Sequence, residues 1–424
     1  MLKPRTISIV IGLGLGLSLG GAGSAAAQLV PPMPQLPRLP STVDGAAGSL
    51  LRPVEGLERD VTRTARQLAR QRLEALDELV RTYPDQLEMT RDGPAVRSEI
   101  VAIDPEPAVL AVIETAGFAV VEREIVEDLG FELVTLRVPA GLSVDRALAR
   151  LRRLAPGLEA SANHLHLPSG ANMTVAATGA LAQRGGGRGT VIGLIDGGVA
   201  SHPALRGSIE QRGFAANGPR PSPHGTAVAS LIAGEGPVRG AAPGATLKVA
   251  DIFGGARTGG SATALARAIN WMVGGGVRVV AVSLSGPNNA IVARAVAEAH
   301  RRGTYIVAPV GNAGAAAPPS FPASYPETVA VTAVDARGRV LIEAGRSPSL
   351  DYAAPGADMA AAEPGGGLVP VRGTSFAVPL VAGRLVRHVG AADPLAALDR
   401  EASSRDRRYG RGLICANCRT PPRN

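Results

Sequence analysis

The sequence predicts an α/β protein in which a parallel sheet is covered by helices on both faces and a smaller α+β domain precedes it. After residue 190, the short apolar strands VIGLI, LKVADI, VRVVAVSL, TYIVAPV and TVAVTAV alternate with helical segments that begin near His224, Ser261, Asn288 and Thr374. Strands that are apolar on both faces are typical of a parallel sheet between helix layers. The sequence therefore predicts a three-layer domain.

The smaller domain is predicted over residues 98–170. Its segments read as strand, helix, strand, strand, helix and strand, and Pro105 and Ser143 stand where the helices are expected to begin. Gly130 marks the turn between the two central strands. This βαββαβ order is that of a ferredoxin-like fold.

The N-terminal segment indicates export. Residues 1–27 carry Lys3 and Arg5, then the apolar run ISIVIGLGLGLSLGG, and end on three alanines before Gln28. This pattern predicts a cleaved secretory signal. A retained membrane anchor is the alternative, but the run is diluted with glycine and falls short of the roughly 20 strongly apolar residues that span a bilayer. We expect an extracellular or periplasmic protein with no membrane span after signal removal.

Residues 28–97 connect the signal to the smaller domain. They begin with a proline-rich stretch to about residue 48, which predicts an extended linker. Residues 61–80 then place apolar side chains at helical spacing among charged ones. This spacing predicts an amphipathic helix, to which we assign no chemistry.

Composition narrows the possible partners and the redox chemistry. The formal net charge is +8, but the arginines are spread along the chain and only 3% of the residues are aromatic. Both facts disfavour nucleic-acid binding. The two cysteines, Cys415 and Cys418, lie in the C-terminal tail of residues 414–424. In an exported chain they pair locally or stay as free thiols, and without nearby histidines they make a poor zinc site.

Four polar residues stand at the ends of predicted strands or at the starts of predicted helices. Asp196 follows VIGLI, His224 opens HGTAVASLIAG, Asn312 ends VAPVGN, and Ser375 opens a helix in RGTSFAVPLVAG. Alone, each has an ordinary interpretation as a turn or cap residue. Together they supply the nucleophile, the base, the orienting carboxylate and the amide donor that acyl transfer requires.

The segments IGLIDGGV, HGTAVASLIAG, PVGNAG and GTSFAVPLVAG resemble, in this order, the four signature segments of the subtilisin, or subtilase, family. The resemblance runs from about Val175 to Leu413, within a predicted domain of residues 171–413. It implies that Ser375 is the nucleophile, His224 the general base and then acid, and Asp196 its orienting partner. The side chain of Asn312 and the backbone N–H of Ser375 would form the oxyanion hole.

The resemblance also implies a subtilisin-like peptide cleft. A bound peptide would add as an extra strand beside Ser283, Leu284, Ser285 and Gly286. The S1 pocket, which holds the side chain before the cleaved bond, would be walled by Ala308, Pro309 and Val310 and floored near Ser320. The expected partners are protein or peptide substrates.

The domain of residues 98–170 resembles the inhibitory propeptide that precedes subtilisin catalytic domains. The resemblance implies that its last strand lies in the active site, with self-cleavage between about His166 and Ala171. His164 and His166 lack nearby carboxylates, so we interpret them as strand residues. We expect no cofactor, and no metal because EGPVRG lacks the asparagine-bearing calcium loop. The protein is expected to be a monomer.

Two rival functions remain open. A catalytically silent homologue would keep the fold and bind peptides without cutting them. An esterase or amidase would use the same three residues on small substrates. An α/β-hydrolase is disfavoured because the chain order Asp196, His224, Ser375 differs from the order in that fold and no GxSxG surrounds the serine. A secreted, self-processing serine endopeptidase is the function that the sequence favours.

Overall fold

The structure is a computed structural model that describes residues 54–169, 189–256 and 258–422, with side chains from residue 63 onward in the first range. The predicted signal, the proline-rich linker and residues 170–188 lie outside the described residues. Within the described ranges, no helix combines the length and the apolar character needed to cross a membrane.

The N-terminal domain is built around one antiparallel sheet. Its elements, in chain order, are α1 (Val54–Thr82), β1 (Leu87–Met89), β2 (Pro94–Ile103), α2 (Pro107–Thr115), β3 (Ala119–Val126), β4 (Phe131–Arg137), α3 (Val144–Leu154) and β5 (Ala160–Pro168). The four long strands lie in the order β5-β2-β4-β3 with antiparallel neighbours. This is the strand order of the ferredoxin-like fold that the sequence predicts.

This domain begins earlier than residue 98. The strand β2 starts at Pro94 and pairs with β1, and a turn between Thr90 and Gly93 joins them. The helix α1 is also longer than the predicted residues 61–80. It extends to the second domain, where the backbone of Ala65 packs against Gly314. The region before residue 98 therefore contributes ordered structure and contacts.

The two faces of the N-terminal sheet bury two different cores. Along β2, side chains alternate between the faces because a strand has a period of two. Ile100 and Ala102 pack with α2 and α3 in a small separate core. Val101 and Ile103 belong to the large core that continues into the second domain. One face thus stabilises the domain itself and the other attaches it to its neighbour.

The second domain is an α/β structure. Its elements are β6 (Val191–Asp196), β7 (Ile209–Gly213), α4 (Pro223–Ala233), β8 (Thr246–Asp251), β9 (Gly260–Ser261), α5 (Ala262–Gly274), β10 (Val279–Val282), β11 (Leu284–Ser285), α6 (Ala290–Arg301), β12 (Tyr305–Pro309), β13 (Thr328–Val334), β14 (Leu350–Pro355), β15 (Met359–Ala362), β16 (Leu368–Val371), α7 (Val378–Leu385), α8 (Pro394–Asp399) and β17 (Gly412–Leu413). A 3-10 helix, Thr374–Phe376, leads into α7.

Eight of these strands form a parallel sheet in the order β17-β14-β13-β12-β10-β6-β8-β7. The five strands predicted from apolar runs form its centre, as expected for positions covered on both faces. The edge strands β7 and β17, and β14 next to β17, were not predicted. Their pattern is mixed or very short, as in the half-exposed β7 (Ile209–Gly213). The parallel sheet predicted from the sequence is confirmed.

Near the C-terminus, Cys415 and Cys418 form a disulfide bond. This is one of the two states that the sequence left open. The bond closes a short turn in which the N–H of Cys418 donates to the carbonyl of Cys415. It links residues close to β17 at the edge of the sheet.

Candidate active site

Asp196 and His224 meet at the carboxyl end of the central sheet. Asp196 is the last residue of β6, and His224 lies in the first turn of α4, which Ser222 caps by accepting a hydrogen bond from the N–H of Gly225. His224 Nδ1 lies 2.8 Å from Asp196 Oδ2 and 3.0 Å from Oδ1. Both side chains are buried. A carboxylate at Nδ1 fixes the tautomer in which Nε2 is free to accept a proton.

The helix that carries His224 packs very close to the turn after Asp196. A β-carbon on Gly225 would overlap the carbonyl oxygen of Gly197. Glycine at position 225 therefore allows the helix to approach β6 closely enough for the imidazole to reach the carboxylate.

Ser375 stands opposite the other ring nitrogen. Its Oγ lies 2.9 Å from His224 Nε2, and the residue is fully buried in the 3-10 helix Thr374–Phe376. The ring of Phe376 packs on the imidazole with a centroid distance of 5.2 Å. The carbonyl of Ser375 accepts a hydrogen bond from Ser283 Oγ at 3.2 Å. These contacts hold the hydroxyl group of Ser375 on the axis from Asp196 through His224.

Asn312 lies close to Ser375, and the backbone of Thr374 orients its side chain. Its Oδ1 accepts a hydrogen bond of 2.9 Å from the N–H of Thr374, which leaves the Nδ2 group directed toward the cleft. Nδ2 and the N–H of Ser375, the latter at 3.1 Å, both donate to the carbonyl oxygen of Ser169. Two donors that converge on one carbonyl oxygen are the arrangement that stabilises an oxyanion.

The last strand of the N-terminal domain lies in the cleft between two strands of the second domain. Pro168 and Leu167 of β5 pair antiparallel with Leu284 and Ser285 of β11. On its other side, β5 pairs with β9. The N–H of Ser169 donates to the carbonyl of Ser283 at 3.3 Å. Backbone pairing on both sides thus presents the Ser169 carbonyl to Ser375 and Asn312.

The residues predicted for the substrate cleft lie at different distances from this strand. Ser283, Leu284 and Ser285 contact it directly. Gly286 packs against the ring of His166, which a β-carbon on Gly286 would overlap. A second group, whose described hydrogen bonds do not reach the strand, lies on β12 or on the loops after it: Ala308, Pro309, Val310 and Ser320. Of these, Ser320 packs against Gly311, next to Asn312.

Sequence reasoning missed Asp251, which ends β8 in register with Asp196 of β6. Its carboxylate accepts hydrogen bonds of 2.8 to 2.9 Å from the N–H groups of Arg220, Phe253 and Gly254. Burial raises the pKa of this carboxyl, against the effect of the three donors. Asp251 ties the loop that enters α4 to the loop after β8. The rule that singled out Asp196, a carboxylate at the carboxyl end of an apolar strand, also identifies Asp251.

The strand β5, which is the cleft strand, carries two buried histidines. His164 is bonded on both sides: Asn289 Nδ2 lies 3.0 Å from its Nδ1 and Thr90 Oγ1 lies 3.1 Å from its Nε2. His166 is fully buried, and neither of its ring nitrogens has a hydrogen-bond partner. Burial lowers the pKa of His164 to about 4 and that of His166 to about 3.

In the part of the chain that the structure describes, no three His, Cys, Asp or Glu side chains are arranged to hold a metal ion. The polar groups of the site instead contact one another and the Ser169 carbonyl. The arrangement is suited to acyl transfer through a serine.

Known proteins share this second domain. The Peptidase_S8 profile, described as the subtilase family, matches residues 187–397. Subtilisin Savinase of Lederbergia lenta is 35% identical over 207 residues, which are 46% of this chain and 75% of Savinase. The alkaline protease of Alkalihalobacillus alcalophilus is also 35% identical over 207 residues, but the match covers only 53% of that protein. The chain thus spans about half the length of this second relative.

Among solved structures, fervidolysin from Fervidobacterium pennivorans, described as a keratinolytic enzyme related to subtilisin, has a similar fold. The TM-score is 0.61 at 20% identity, and the match covers 78% of this chain and 61% of fervidolysin. At that identity the likeness concerns the fold. The match to three quarters of Savinase, together with the family profile, shows that the chain belongs to the subtilase family of serine-type endopeptidases.

Proposed function

We propose that this chain is an exported endopeptidase that hydrolyses peptide bonds through an acyl-enzyme on Ser375 and cuts its own chain after Ser169. One observation supports the proposal most strongly. The Ser169 carbonyl accepts hydrogen bonds from Ser375 N–H and Asn312 Nδ2 while Ser375 Oγ is bonded to His224. A carbonyl held in this way is positioned for attack by the serine.

In the proposed mechanism, His224 Nε2 takes the proton of Ser375 Oγ as that oxygen attacks the carbonyl carbon. The electron pair of the carbonyl moves onto its oxygen, where Asn312 Nδ2 and the Ser375 N–H stabilise the negative charge. The intermediate then expels the amine, which takes the proton from His224. Water hydrolyses the remaining ester with His224 again as base, and Asp196 holds the imidazole in the required tautomer throughout.

The same geometry supports an inhibitory role for the N-terminal domain. The strand β5 occupies the position between β9 and β11 that a peptide substrate would take by strand addition. After cleavage, the new carboxylate at Ser169 would stay in the site as a product. The N-terminal domain would then block the cleft until it dissociates.

The intact masses of wild-type protein and the Ser375→Ala variant after incubation test this function. We expect the wild type to split into a fragment that ends at Ser169 and one that begins at Gly170, and to hydrolyse peptides in the same tube. Ser375→Ala should remain one folded chain without activity. Ser349→Ala, which replaces an exposed serine whose described hydrogen bond is to Ser347, is the matched control and should behave as the wild type.

Two outcomes would contradict the proposal. If wild type and Ser375→Ala both stay whole and inactive although folded, the chain is a peptide-binding homologue. If the wild type turns over simple esters but leaves peptide amides intact, the esterase function is correct instead.

Export is supported by the pattern of residues 1–27 and by the Cys415–Cys418 disulfide. Disulfide bonds persist in oxidising compartments and are rare in the cytosol. We expect the chain outside the cytoplasm to begin at Gln28 or later. Sequencing of the N-terminus after cell fractionation measures this, and a chain that stays in the cytosol with Met1 intact would argue against export.

A further inference from the structure

The side chain of Ser169 makes a buried contact with Ser285. Ser169 Oγ donates a hydrogen bond of 2.7 Å to Ser285 Oγ, and the two residues are 3% and 9% exposed. Ser169 is the residue whose carbonyl lies between Ser375 and Asn312. Ser285 therefore touches the side chain that precedes the bond under attack.

Backbone pairing between β5 and β11 fixes the position of this contact. Leu284 and Ser285 pair with Pro168 and Leu167 of β5, and the carbonyl of Ser283 accepts the N–H of Ser169. A peptide that pairs with β11 in the same register brings its own side chain to the same point. The Ser285 hydroxyl is thus a fixed element of the site, presented to whatever residue takes the position of Ser169.

The distance decides which side chains fit. At 2.7 Å, two hydroxyl groups form a good hydrogen bond. A carbon at the position of Ser169 Oγ would be equally close to Ser285 Oγ but could not form the hydrogen bond that allows so short an approach. Residues with a γ-carbon must therefore adopt another rotamer or displace Ser285. An alanine side chain ends before this point and leaves the Ser285 hydroxyl without this partner.

We propose that Ser285 sets the specificity of this enzyme for serine, and next for alanine, before the cleaved bond, and that it disfavours leucine and larger residues. This inference rests on the proposed peptidase function and names the substrate class of the same site. The substrates would be extended peptides with a small, preferably hydroxylated, residue whose carbonyl is attacked. Self-cleavage after Ser169 would be the first such reaction.

Peptides that copy residues 162–172, with serine, alanine or leucine at the position of Ser169, test the assignment on the processed enzyme. We expect kcat/KM to be about three- to tenfold higher for the serine peptide than for the alanine peptide, because one buried hydrogen bond distinguishes them. The leucine peptide should be about 10–100-fold worse than the alanine peptide because of steric overlap.

Two variants separate the effect of the Ser285 hydroxyl group from the effect of the Ser285 side-chain volume. Ser285→Ala should bring the serine-to-alanine ratio close to one, since the acceptor is gone. Ser285→Gly also removes the β-carbon and should raise kcat/KM for the leucine peptide by about tenfold or more. Ser349→Ala is the control and should leave all three rates unchanged.

Self-cleavage gives a second readout within the full chain. Ser169→Leu should slow the appearance of the processed fragments, and Ser169→Leu combined with Ser285→Gly should restore it. Such a rescue depends on the contact itself, because two unrelated folding defects would add to each other.

The results distinguish this inference from the proposed function. If the wild type cleaves the leucine peptide as fast as the serine peptide, or if Ser285→Gly leaves the ranking unchanged, Ser285 does not set specificity although peptide hydrolysis still stands. If no peptide is cleaved by any form, the proposed function fails and the inference fails with it.

Discussion

Two buried histidines, one in the proposed catalytic centre and one in the cleft strand, differ in their hydrogen-bond partners. His224, in the catalytic centre, is 4% exposed and has a partner at each ring nitrogen, Asp196 and Ser375. His166, in β5, is fully buried and has no partner at either nitrogen. Burial is similar in the two regions, so the difference lies in the hydrogen bonds.

The comparison shows what each region requires of an imidazole. The proposed base must accept a proton, and the Asp196 carboxylate bonded to His224 would stabilise the charged form. His166 serves as a packing group against Gly286, and burial together with the neighbouring His164 keeps it neutral by lowering its pKa to about 3. One histidine is built to gain a charge, and the other fits only without one.

Replacement of His224 by an apolar ring should have the largest effect. In His224→Phe the ring volume is kept but the base is lost, so we expect turnover to fall by roughly a millionfold, the scale known for loss of the base in subtilisin. Self-cleavage should stop as well. Single-turnover rates of processing, followed by intact mass, measure the loss. A variant that still processes at a tenth of the wild-type rate would remove His224 from the mechanism.

Loss of the amide donor should have a smaller effect than loss of the base. Asn312→Ala removes one of the two donors to the Ser169 carbonyl, and removal of one such donor from subtilisin lowers kcat by about 10²–10³-fold. We expect kcat to fall on that scale while KM changes little, because the donor acts mainly on the transition state. Steady-state kinetics on a peptide amide tests this. A change confined to KM would assign Asn312 to substrate binding alone.

Acid should weaken the attachment of the cleaved N-terminal domain. The bound strand holds His164 and His166 neutral, with pKa values of about 4 and 3, against 6.5 for an ordinary histidine. Between these pKa values the free strand binds more protons than the docked strand does. The affinity of the N-terminal domain for the second domain therefore falls as the pH drops below about 6.5 and levels off near pH 3. Each histidine contributes up to about tenfold per pH unit.

The charged groups around this pair modify the acid effect without reversing it. Asp92 and Asp145 raise the pKa of His164, whereas burial, the larger cause, lowers it; His164 in turn lowers the pKa of His166. Gel filtration of the processed complex between pH 7 and pH 4 measures the release directly. A complex equally tight at both values would show that the histidines remain neutral after release.

Replacement of His166 by phenylalanine should have the smallest of these effects. It would leave the proposed catalytic centre unchanged and remove one buried imidazole from the cleft strand. His166→Phe removes two buried polar atoms that lack partners, so the docked state should gain about 1–3 kcal/mol. The acid dependence of release should also become shallower, because only His164 remains to titrate. The same gel filtration reports both changes. His166→Leu, a smaller side chain, controls for steric overlap with Gly286, and a steeper pH dependence in both variants would contradict this explanation.

Much of the fold and the central site could be predicted from the sequence because local patterns encode them. The apolar run that ends at Asp196 forms the buried strand β6, and α3 begins after the capping residue Ser143. The residues proposed as the triad lie where strands end and helices begin, so their chain positions limit where they can meet. The structure brings Asp196, His224 and Ser375 together as the sequence predicts.

Contacts between distant segments were harder to predict. Ser169 reaches Ser285 across 116 residues, and no local pattern in either segment indicates that the two hydroxyl groups meet.

The hairpin of β1 and β2 was missed for a different reason. Asp92, Gly93 and Pro94 form a turn signal, but the strand before them has only three residues. Its stability comes from pairing with β2, a contact that its own composition does not indicate.

The helix α1 has a consequence for how the two parts of the cleaved chain separate. The N-terminal fragment would hold its partner at three places: β5 in the cleft, one face of its sheet on the large core, and Ala65 of α1 at Gly314, two residues beyond Asn312. Linked contacts act by avidity, because any one that opens is kept near its partner by the others and closes again. Release then depends less on the strength of any single contact than on whether the fragment stays in one piece. A second cut between α1 and β1 would divide the fragment. The helix α1 and the rest of the N-terminal domain would then dissociate independently, and each would dissociate faster than the intact fragment.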